Sequence, residues 1–279
     1  MLRNWNEYCR TIRLSGLISL ALLTSYSVGG NIILPRAPEL SAKGYILIDA
    51  DSGRVLVESN ADDSLPPASL TKIMTGYVVA AELETGRIGL DDEVPISVNA
   101  WRTKGSKMFI QEGTKVALSD LLRGVIVQSG NDASVAIAEY LAGDEDAFAD
   151  VMNQYAMTIG MSSTNFLNST GLPDDGHYTS ARDMAALTLE LIRRFPMHYA
   201  IYAEREFTFA EIRQPNRNRL LLRDRTVDGV KTGYTLAAGY CLVASAKRDG
   251  MRLVSVVMGA SSDEVRMRET QKLLQYGFR

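Results

Sequence analysis

Cysteine and histidine are scarce in this chain of 279 residues, which has two of each. Cys9 lies near the N-terminus, and Cys241 lies in an apolar run, where we expect a buried thiol rather than a nucleophile. If the first residues are removed, one cysteine remains and cannot form an internal disulfide, so the fold must rest on its core. Two histidines and one such cysteine do not make a metal-binding cluster, and we expect no metal and no cofactor.

The two histidines also make a Ser-His-Asp triad a poor explanation of any activity. His177 lies in a polar stretch, where we expect it to be exposed or packed within a loop. His198 follows a proline and a methionine, and we expect it to be structural.

An excess of positive charge is also missing. The chain has 30 Lys and Arg residues against 33 Asp and Glu residues, a net charge of −3. A nucleic-acid-binding surface needs a basic excess, so we expect no nucleic-acid partner. The length and a hydrophobic content of 46% suffice for one large domain or two closely packed subdomains.

One apolar run, over residues 14–28, follows the basic residues Arg3, Arg10 and Arg13. The run is too short and too rich in hydroxyl groups to favour a transmembrane helix. We therefore predict that residues 1–36 are a secretory signal peptide cut between about Ser27 and Ala42, with an uncleaved membrane anchor as the alternative. The rest of the chain would then be exported across the inner membrane into the periplasm or another extracytoplasmic space. It would be attached to the membrane only through an uncleaved N-terminus.

Residues 37–279 are predicted to form one catalytic domain of the α/β (α+β) class. Apolar spacing predicts helices over 69–86, 118–127, 133–141, 147–159, 181–193 and 262–276. Strand-like runs cover 45–49, 54–58, 207–212, 226–231, 239–247 and 252–258, and a polar loop covers 165–178. Because strands lie at both ends, we expect them to share one sheet around a helical subdomain of about residues 70–200.

Three short motifs contain the residue types of an acylating serine enzyme. Ser69-Leu-Thr-Lys72 places a hydroxyl and an amine on one face of a predicted helix, so that the amine can reach the hydroxyl. Ser129-Gly-Asn131, between two predicted helices, offers a second hydroxyl and an amide. Lys231-Thr-Gly233, on a predicted strand, offers a cation and a hydroxyl beside a residue with no side chain to block a substrate. The same trio occurs in penicillin-binding proteins and class A β-lactamases.

With these motifs the chain resembles the low-molecular-mass penicillin-binding proteins, the serine D-alanyl-D-alanine carboxypeptidases of the penicillin-binding protein 5 type (peptidase family S11). The resemblance runs from about Tyr45 to Arg279. Its further segments are Pro67-Ala-Ser-Leu-Thr-Lys72, Gln128-Ser-Gly-Asn-Asp132, Ser180-Ala-Arg-Asp-Met184, Glu206-Phe-Thr-Phe209, Arg217 and Val227-Asp-Gly-Val-Lys-Thr-Gly233. It implies the DD-peptidase/serine β-lactamase-like fold, in which an antiparallel sheet is flanked by helices and the site lies against a helical subdomain.

Acyl transfer needs a nucleophile, a base and an oxyanion stabiliser. We assign Ser69 as the nucleophile and Lys72 as the base. The base must be a neutral amine, and we expect burial and the positive charge of Lys231 to lower its pKa. Ser129 would pass the proton to the leaving nitrogen, and Asn131 would donate its amide to the acyl carbonyl.

The remaining assignments concern the oxyanion and the terminal carboxylate of a substrate. Backbone N–H groups of Ser69 and Tyr234 should form the oxyanion hole. Thr232 is the hydroxyl expected to receive the carboxylate, beside Gly233. By resemblance, Arg217 and Arg266 are the cations expected to receive it, with solvated salt-bridge partners as the alternative.

The resemblance implies removal of the terminal D-alanine from peptidoglycan stem pentapeptides, with β-lactam antibiotics as covalent inhibitors. Two departures from the family pattern stand out. Relatives usually continue into a β-rich domain and an amphipathic anchoring helix, and after Gly277 we expect neither here. Tyr234 stands where close relatives can have histidine, which leaves the pH dependence open.

Three alternatives share these motifs. A class A-like β-lactamase uses a loop glutamate and a water for deacylation, and residues 165–178 contain aspartates but no glutamate. A DD-endopeptidase has the same motifs and stays open. A penicillin-binding relative without hydrolytic activity should have lost at least one residue of the three motifs, and here all of them are present.

Overall fold

A computed structural model describes residues 36–279 of the chain. The predicted signal peptide or anchor, residues 1–36, lies outside the described residues except for Arg36. Among the helices of residues 36–279, none is both long enough and apolar enough to cross a membrane.

Strands from both ends of the described chain meet in one sheet, and helices occupy the middle. The strands are β1 (Gly44–Asp49), β2 (Val55–Ser59), β3 (Glu93–Pro95), β4 (Lys115–Ala117), β5 (Glu206–Phe209), β6 (Ile212–Pro215), β7 (Val227–Thr235), β8 (Gly239–Arg248) and β9 (Met251–Ala260). The helices are α1 (Lys72–Glu84), α2 (Val98–Arg102), α3 (Leu118–Arg123), α4 (Asn131–Ala142), α5 (Glu145–Ile159), α6 (Ala181–Arg194), α7 (Pro196–Tyr199), α8 (Leu220–Arg223) and α9 (Asp263–Gly277). Short 3₁₀ turns cover Ala68–Thr71 and Ala200–Ala203, and a π-helical turn covers Gly124–Gln128.

The main sheet has five antiparallel strands in the order β2-β1-β9-β8-β7. Pairing of β1 with β9 joins the two ends of the described chain, which confirms the expectation of a shared sheet. The turn between β8 and β9 has φ of 48° at Asp249 and 88° at Gly250. Two successive positive φ values are typical of the tight hairpin turns that match the twist of the strands. Strand β7, which contains Lys231-Thr-Gly233, is an edge strand.

Both faces of this sheet are covered. Ile46 and Val256 belong to the larger core, which also contains buried residues of α1 and α6. Leu47 and Val257 belong to a second core, which includes Leu273 of α9. Since successive strand residues point to opposite faces, this alternation explains why the strands are nearly continuous apolar runs. The α/β (α+β) class and its antiparallel sheet flanked by helices are therefore confirmed, whereas the domain boundaries stay a prediction.

Helix α1 differs from the expected amphipathic helix. The apolar residues Ile73, Tyr77 and Val78 are buried, but so are Lys72 and Thr75 on the other sides of the helix. A helix buried all round lies inside the protein rather than on its surface. This position places a lysine side chain where no water reaches it.

The strand predicted over 207–212 is wrong. The chain turns at Ala210 and Glu211, which have φ of 46° and 62°, and forms the hairpin β5–β6 instead. Neither residue is a usual turn former, so the apolar pattern concealed the turn. The predicted helix over 118–127 is α3 followed by the π-helical turn, and residues 165–178 form the predicted loop.

Candidate active site

A cleft of about 530 Å³ lies where β7 meets the helical part of the chain. Seven of the predicted site residues line it: Ser69, Ser129, Arg217, Thr232, Gly233, Tyr234 and Arg266. The other three, Lys72, Asn131 and Lys231, are buried. Lys72 contacts both Ser69 and Asn131, so the fold brings distant segments of the sequence to one place.

Ser69 lies on a strained turn just before α1. The preceding residue, Ala68, has φ of 48°, a left-handed conformation that costs a non-glycine residue about 1–3 kcal/mol. Two glycines enclose this turn: a Cβ on Gly171 would lie 1.8 Å from the Ala68 carbonyl oxygen, and one on Gly233 would lie 3.2 Å from the Ser69 backbone nitrogen. Gly233 therefore allows β7 to lie against the Ser69 turn, a role beyond the predicted one of leaving room for a substrate.

The amine of Lys72 has three acceptors around it. Its Nζ lies 3.1 Å from Ser69 Oγ, 2.7 Å from Asn131 Oδ1 and 2.6 Å from the Thr170 carbonyl oxygen. The carbonyl and the amide oxygen can only accept hydrogen bonds. When the amine is neutral, its two N–H groups satisfy these two oxygens, and its lone pair is left facing the Ser69 hydroxyl. This arrangement suits removal of the hydroxyl proton by the amine.

Burial favours that neutral form. Lys72 is fully buried, and the loss of solvation lowers the pKa of its amine to about 7. The carboxylates of Asp132 and Glu145 oppose this effect by raising the same pKa. Without them, the amine would be a weaker base. As pH rises through about 7, Lys72 changes from ammonium to a free base.

Lys231 is the second buried amine. Its Nζ lies 3.3 Å from the Thr232 carbonyl oxygen. Burial, and then the positive charges of Lys72, Arg266 and Arg217, lower the pKa of Lys231 well below its usual value. Like charges in one buried site disfavour double protonation, and the charge of Lys72 is one of those that act on Lys231. The expected lowering of the Lys72 pKa by Lys231 stays a prediction.

Ser129 and Asn131 flank the tight turn between the π-helical turn and α4. Ser129 has φ of 67° and is buried at the cleft wall, a strained conformation that the surrounding packing must impose. The Asn131 amide nitrogen donates to the Lys104 carbonyl oxygen at 2.7 Å, which aims its Oδ1 at Lys72. An amide nitrogen has two N–H groups, so one remains for the predicted contact with a substrate carbonyl.

The two arginines differ in their surroundings. Arg266 is buried, and its guanidinium donates to the carbonyl oxygens of Gly233 and Cys241 and pairs with Asp263 at 2.5 Å. These contacts fix the end of β7. Arg217 Nε makes one long contact, 3.3 Å, with the Gln128 carbonyl oxygen, and the side chain lines the cleft. Of the two, Arg217 is the better placed to receive a carboxylate.

Neither histidine lines the cleft that contains Ser69. His177 is buried, not exposed: its Nδ1 accepts from the Leu167 N–H at 3.2 Å, so its Nε2–H donates to Thr71 Oγ1 at 3.0 Å. It is packed within the loop, which is one of the two positions expected from the sequence. Burial lowers the pKa of both His177 and His198 to about 4, so both are neutral at pH 7. Cys241 is buried, and burial raises the pKa of its thiol to about 11.

Three contributors to the site were not predicted: Thr170, Gly171 and Glu145. The Thr170 carbonyl acts through its backbone, and the Glu145 carboxylate reaches the loop only in the folded chain, where its Oε1 accepts from the Ser169 hydroxyl at 2.6 Å. The wealth of Asn, Ser, Thr and Gly in residues 165–178 indicated a loop but not its position beside Lys72. Among residues 36–279 no group of three or more metal-ligating side chains occurs, and the absence of a cofactor stays a prediction.

Comparison with known proteins places these residues in a family context. The family model for D-alanyl-D-alanine carboxypeptidases of peptidase family S11 matches residues 32–262. D-alanyl-D-alanine carboxypeptidase DacC of Escherichia coli (strain K12) is 51% identical over 250 residues, which are 87% of this chain and 62% of that protein. The chain thus spans less than two thirds of the length of this relative.

Solved structures agree with the fold. Penicillin-binding protein 5 of Haemophilus influenzae is 48% identical with a TM-score of 0.85, over 88% of this chain and 72% of that one. Penicillin-binding protein D2 of Listeria monocytogenes, solved with ampicillin bound, is 30% identical with a TM-score of 0.81. That match covers 88% of this chain and all of the other.

The fit of Gly171 against the Ser69 turn can be tested by substitution. Gly171 has φ of 81°, and Gly176 in the same loop has φ of 92°, so alanine is strained at both positions. Only at position 171 would the new Cβ overlap backbone, because at 176 the nearest atom is a Leu167 methyl group at 3.6 Å. We expect Gly171→Ala to lower the free energy of unfolding, measured in urea, by about 1–3 kcal/mol more than Gly176→Ala. Equal losses would contradict this packing.

Proposed function

This chain belongs to the D-alanyl-D-alanine carboxypeptidase family, peptidase family S11, and from that premise we propose that it is a serine carboxypeptidase of peptidoglycan stem peptides. The proposed reaction releases the terminal D-alanine of a stem pentapeptide through an acyl-enzyme. The observation that carries the proposal is the Lys72 amine at 3.1 Å from Ser69 Oγ, held by two oxygens that can only accept.

In the proposed acylation, Ser69 Oγ attacks the carbonyl carbon of the penultimate D-alanine while Lys72 Nζ takes the hydroxyl proton. The developing oxyanion lies between the backbone N–H groups of Ser69 and Tyr234. A donor of this kind is worth roughly 3–4 kcal/mol in the transition state of other enzymes. The close approach of Gly233 to the Ser69 nitrogen supports this placement of the two donors.

Breakdown of the tetrahedral intermediate requires a proton on the leaving nitrogen. Ser129, in the same cleft, passes the proton from Lys72 to that nitrogen as the carbon–nitrogen bond breaks and D-alanine leaves. A water then attacks the ester carbonyl while Lys72 takes one of its protons. Lys72 returns this proton to Ser69 Oγ as the ester bond breaks, which releases the shortened peptide and restores the free enzyme. The net reaction is hydrolysis of one amide bond.

The terminal carboxylate of the substrate determines which peptides fit. Thr232 offers a hydroxyl and Arg217 a guanidinium at the cleft wall, and Arg266 holds β7 in place beneath them. A carboxylate near these groups favours the protonated form of Lys231. Repulsion from that charge then favours the neutral form of Lys72, so substrate binding promotes the reactive state of the base.

β-Lactam antibiotics resemble the same peptide end, and we propose that they acylate Ser69. Slow release of the acyl group is expected, since residues 165–178 contain no glutamate to activate water. Glu145, which contacts this loop, is engaged with Ser169. This arrangement disfavours the β-lactamase alternative.

The proposed activity is tested by incubating the chain with a stem pentapeptide and measuring released D-alanine. We expect release by the wild type, loss of at least about 10³-fold in Ser69→Ala, and covalent labelling of the wild type alone by a fluorescent penicillin. Wild-type chain that is labelled but releases no D-alanine would contradict the hydrolytic function and favour a penicillin-binding relative without turnover.

We also propose that the enzyme works in the periplasm or an equivalent extracytoplasmic space, because its substrate is a cell-wall polymer and residues 1–36 have the pattern of an export signal. Mass spectrometry of the N-terminus of the chain made in its host tests this. Export with cleavage predicts a new N-terminus between about Ser27 and Ala42. A chain that keeps Met1 and is found in the cytoplasm would contradict it.

A further inference from the structure

A chain of hydrogen bonds connects α5 with the amine of Lys72. Glu145, the first residue of α5, accepts through Oε1 from the Ser169 hydroxyl at 2.6 Å and from the Ser169 N–H at 3.2 Å. The next carbonyl, that of Thr170, accepts from Lys72 Nζ at 2.6 Å. The Glu145 carboxylate thus binds Ser169, the residue next to Thr170, whose carbonyl oxygen orients the Lys72 amine.

The same segment is fixed from two further sides. Thr75, one turn after Lys72 on α1, donates its hydroxyl to the Ser169 carbonyl oxygen at 2.7 Å. Within the loop, Asn168 Oδ1 accepts from the Thr170 N–H at 3.1 Å and the Gly171 N–H at 2.8 Å. These contacts fix the conformation of the loop, and the hydrogen bonds of Glu145 attach the loop to α5. Ser169 itself is fully buried, so displacement of this segment would disturb the packing around Lys72.

We propose that Glu145 is a positioning residue for the reaction at Ser69. From the start of α5 it holds the Ser169–Thr170 segment, and the Thr170 carbonyl in turn holds the Lys72 amine so that its lone pair faces the Ser69 hydroxyl. This inference rests on the proposed acyl-enzyme function and adds to it a residue that belongs to none of the three motifs.

The charge of Glu145 adds a second effect. The charges that act on Lys72 are those of Asp132 on α4 and Glu145 on α5. The charge of Lys72 acts in turn on Lys231 on β7, and His177 in the loop is neutral near pH 7. Both carboxylates favour the ammonium form of Lys72. Removal of the Glu145 charge should therefore make Lys72 lose its proton at a lower pH.

Two substitutions separate position from charge. Glu145→Gln keeps an oxygen that accepts from Ser169 but removes the charge, whereas Glu145→Ala removes both. The readout is the second-order rate constant for acylation of Ser69 by a fluorescent penicillin, measured from pH 5 to pH 9. Asp146→Asn is the matched control, because Asp146 is the next residue of α5, is exposed, and loses the same charge.

For Glu145→Gln we expect the acid limb of the profile to move to lower pH by roughly half a unit to one unit, with a similar plateau. For Glu145→Ala we expect a plateau about 10- to 100-fold lower, because a displaced catalytic group loses about this much rate. Asp146→Asn should retain the wild-type profile.

The outcomes distinguish the inference from the function on which it rests. If the wild type is not acylated at any pH, the acyl-enzyme function fails and the inference fails with it. If the wild type is acylated and Glu145→Ala keeps the wild-type plateau, only the positioning role of Glu145 is overturned, whereas an unshifted profile of Glu145→Gln overturns only the effect of its charge. Should Glu145→Ala not fold, Glu145→Asp decides, because it keeps the charge but withdraws the carboxylate from Ser169 by one methylene group: a wild-type plateau in this variant also overturns the positioning role.

Discussion

The structure depends on the burial of one amine. Lys72 lies on a helix that is buried all round, and its Nζ reaches only Ser69 Oγ, Asn131 Oδ1 and the Thr170 carbonyl among the described residues. Loss of solvation takes away the charge that makes lysine a poor base at neutral pH. The two oxygens that can only accept then determine where the lone pair points. Burial and direction together suit this side chain to the proposed role of base for the neighbouring hydroxyl.

Much of the surrounding fold serves to hold that amine and the Ser69 turn. The left-handed Ala68 places Ser69 at the start of α1, and the missing side chains of Gly171 and Gly233 let the loop and β7 lie against the turn. Arg266 fixes the end of β7 by donating to the Gly233 carbonyl oxygen. These contacts come from the helical region, the long loop and the sheet, so the site forms only when all three pack together.

Patterns that depend on neighbours in sequence predicted well. The main helices and most strands are local features, and the structure contains them close to where the apolar spacing placed them. The expectation that strands from both ends share one sheet followed from the strand-like character of both ends of residues 37–279. Family resemblance supplied the remaining assignments, among them that of Arg217.

Features that depend on contacts across the fold could not be predicted. Thr170 acts through its backbone carbonyl, and every residue type has such a group, so the sequence does not mark this one. Glu145 contacts the loop of residues 165–178 only after α5 packs beside that loop. Arg266 matched a carboxylate-binding role by resemblance, yet its guanidinium is occupied by two carbonyl oxygens and Asp263. The turn at Ala210 and Glu211 was hidden because neither residue is a usual turn former.

Titration of Lys72 itself tests most directly whether burial makes its amine a base near neutral pH. Chain labelled with ¹³C at the lysine ε-carbon can be followed by NMR as the pH is raised, and the signal is assigned by its loss in Lys72→Arg. The account predicts that this lysine titrates at a pKa of about 7, because burial disfavours its charged form. A pKa near the ordinary lysine value of about 10.4 would contradict the account, since the amine would then be an ammonium in the conditions where the enzyme must act.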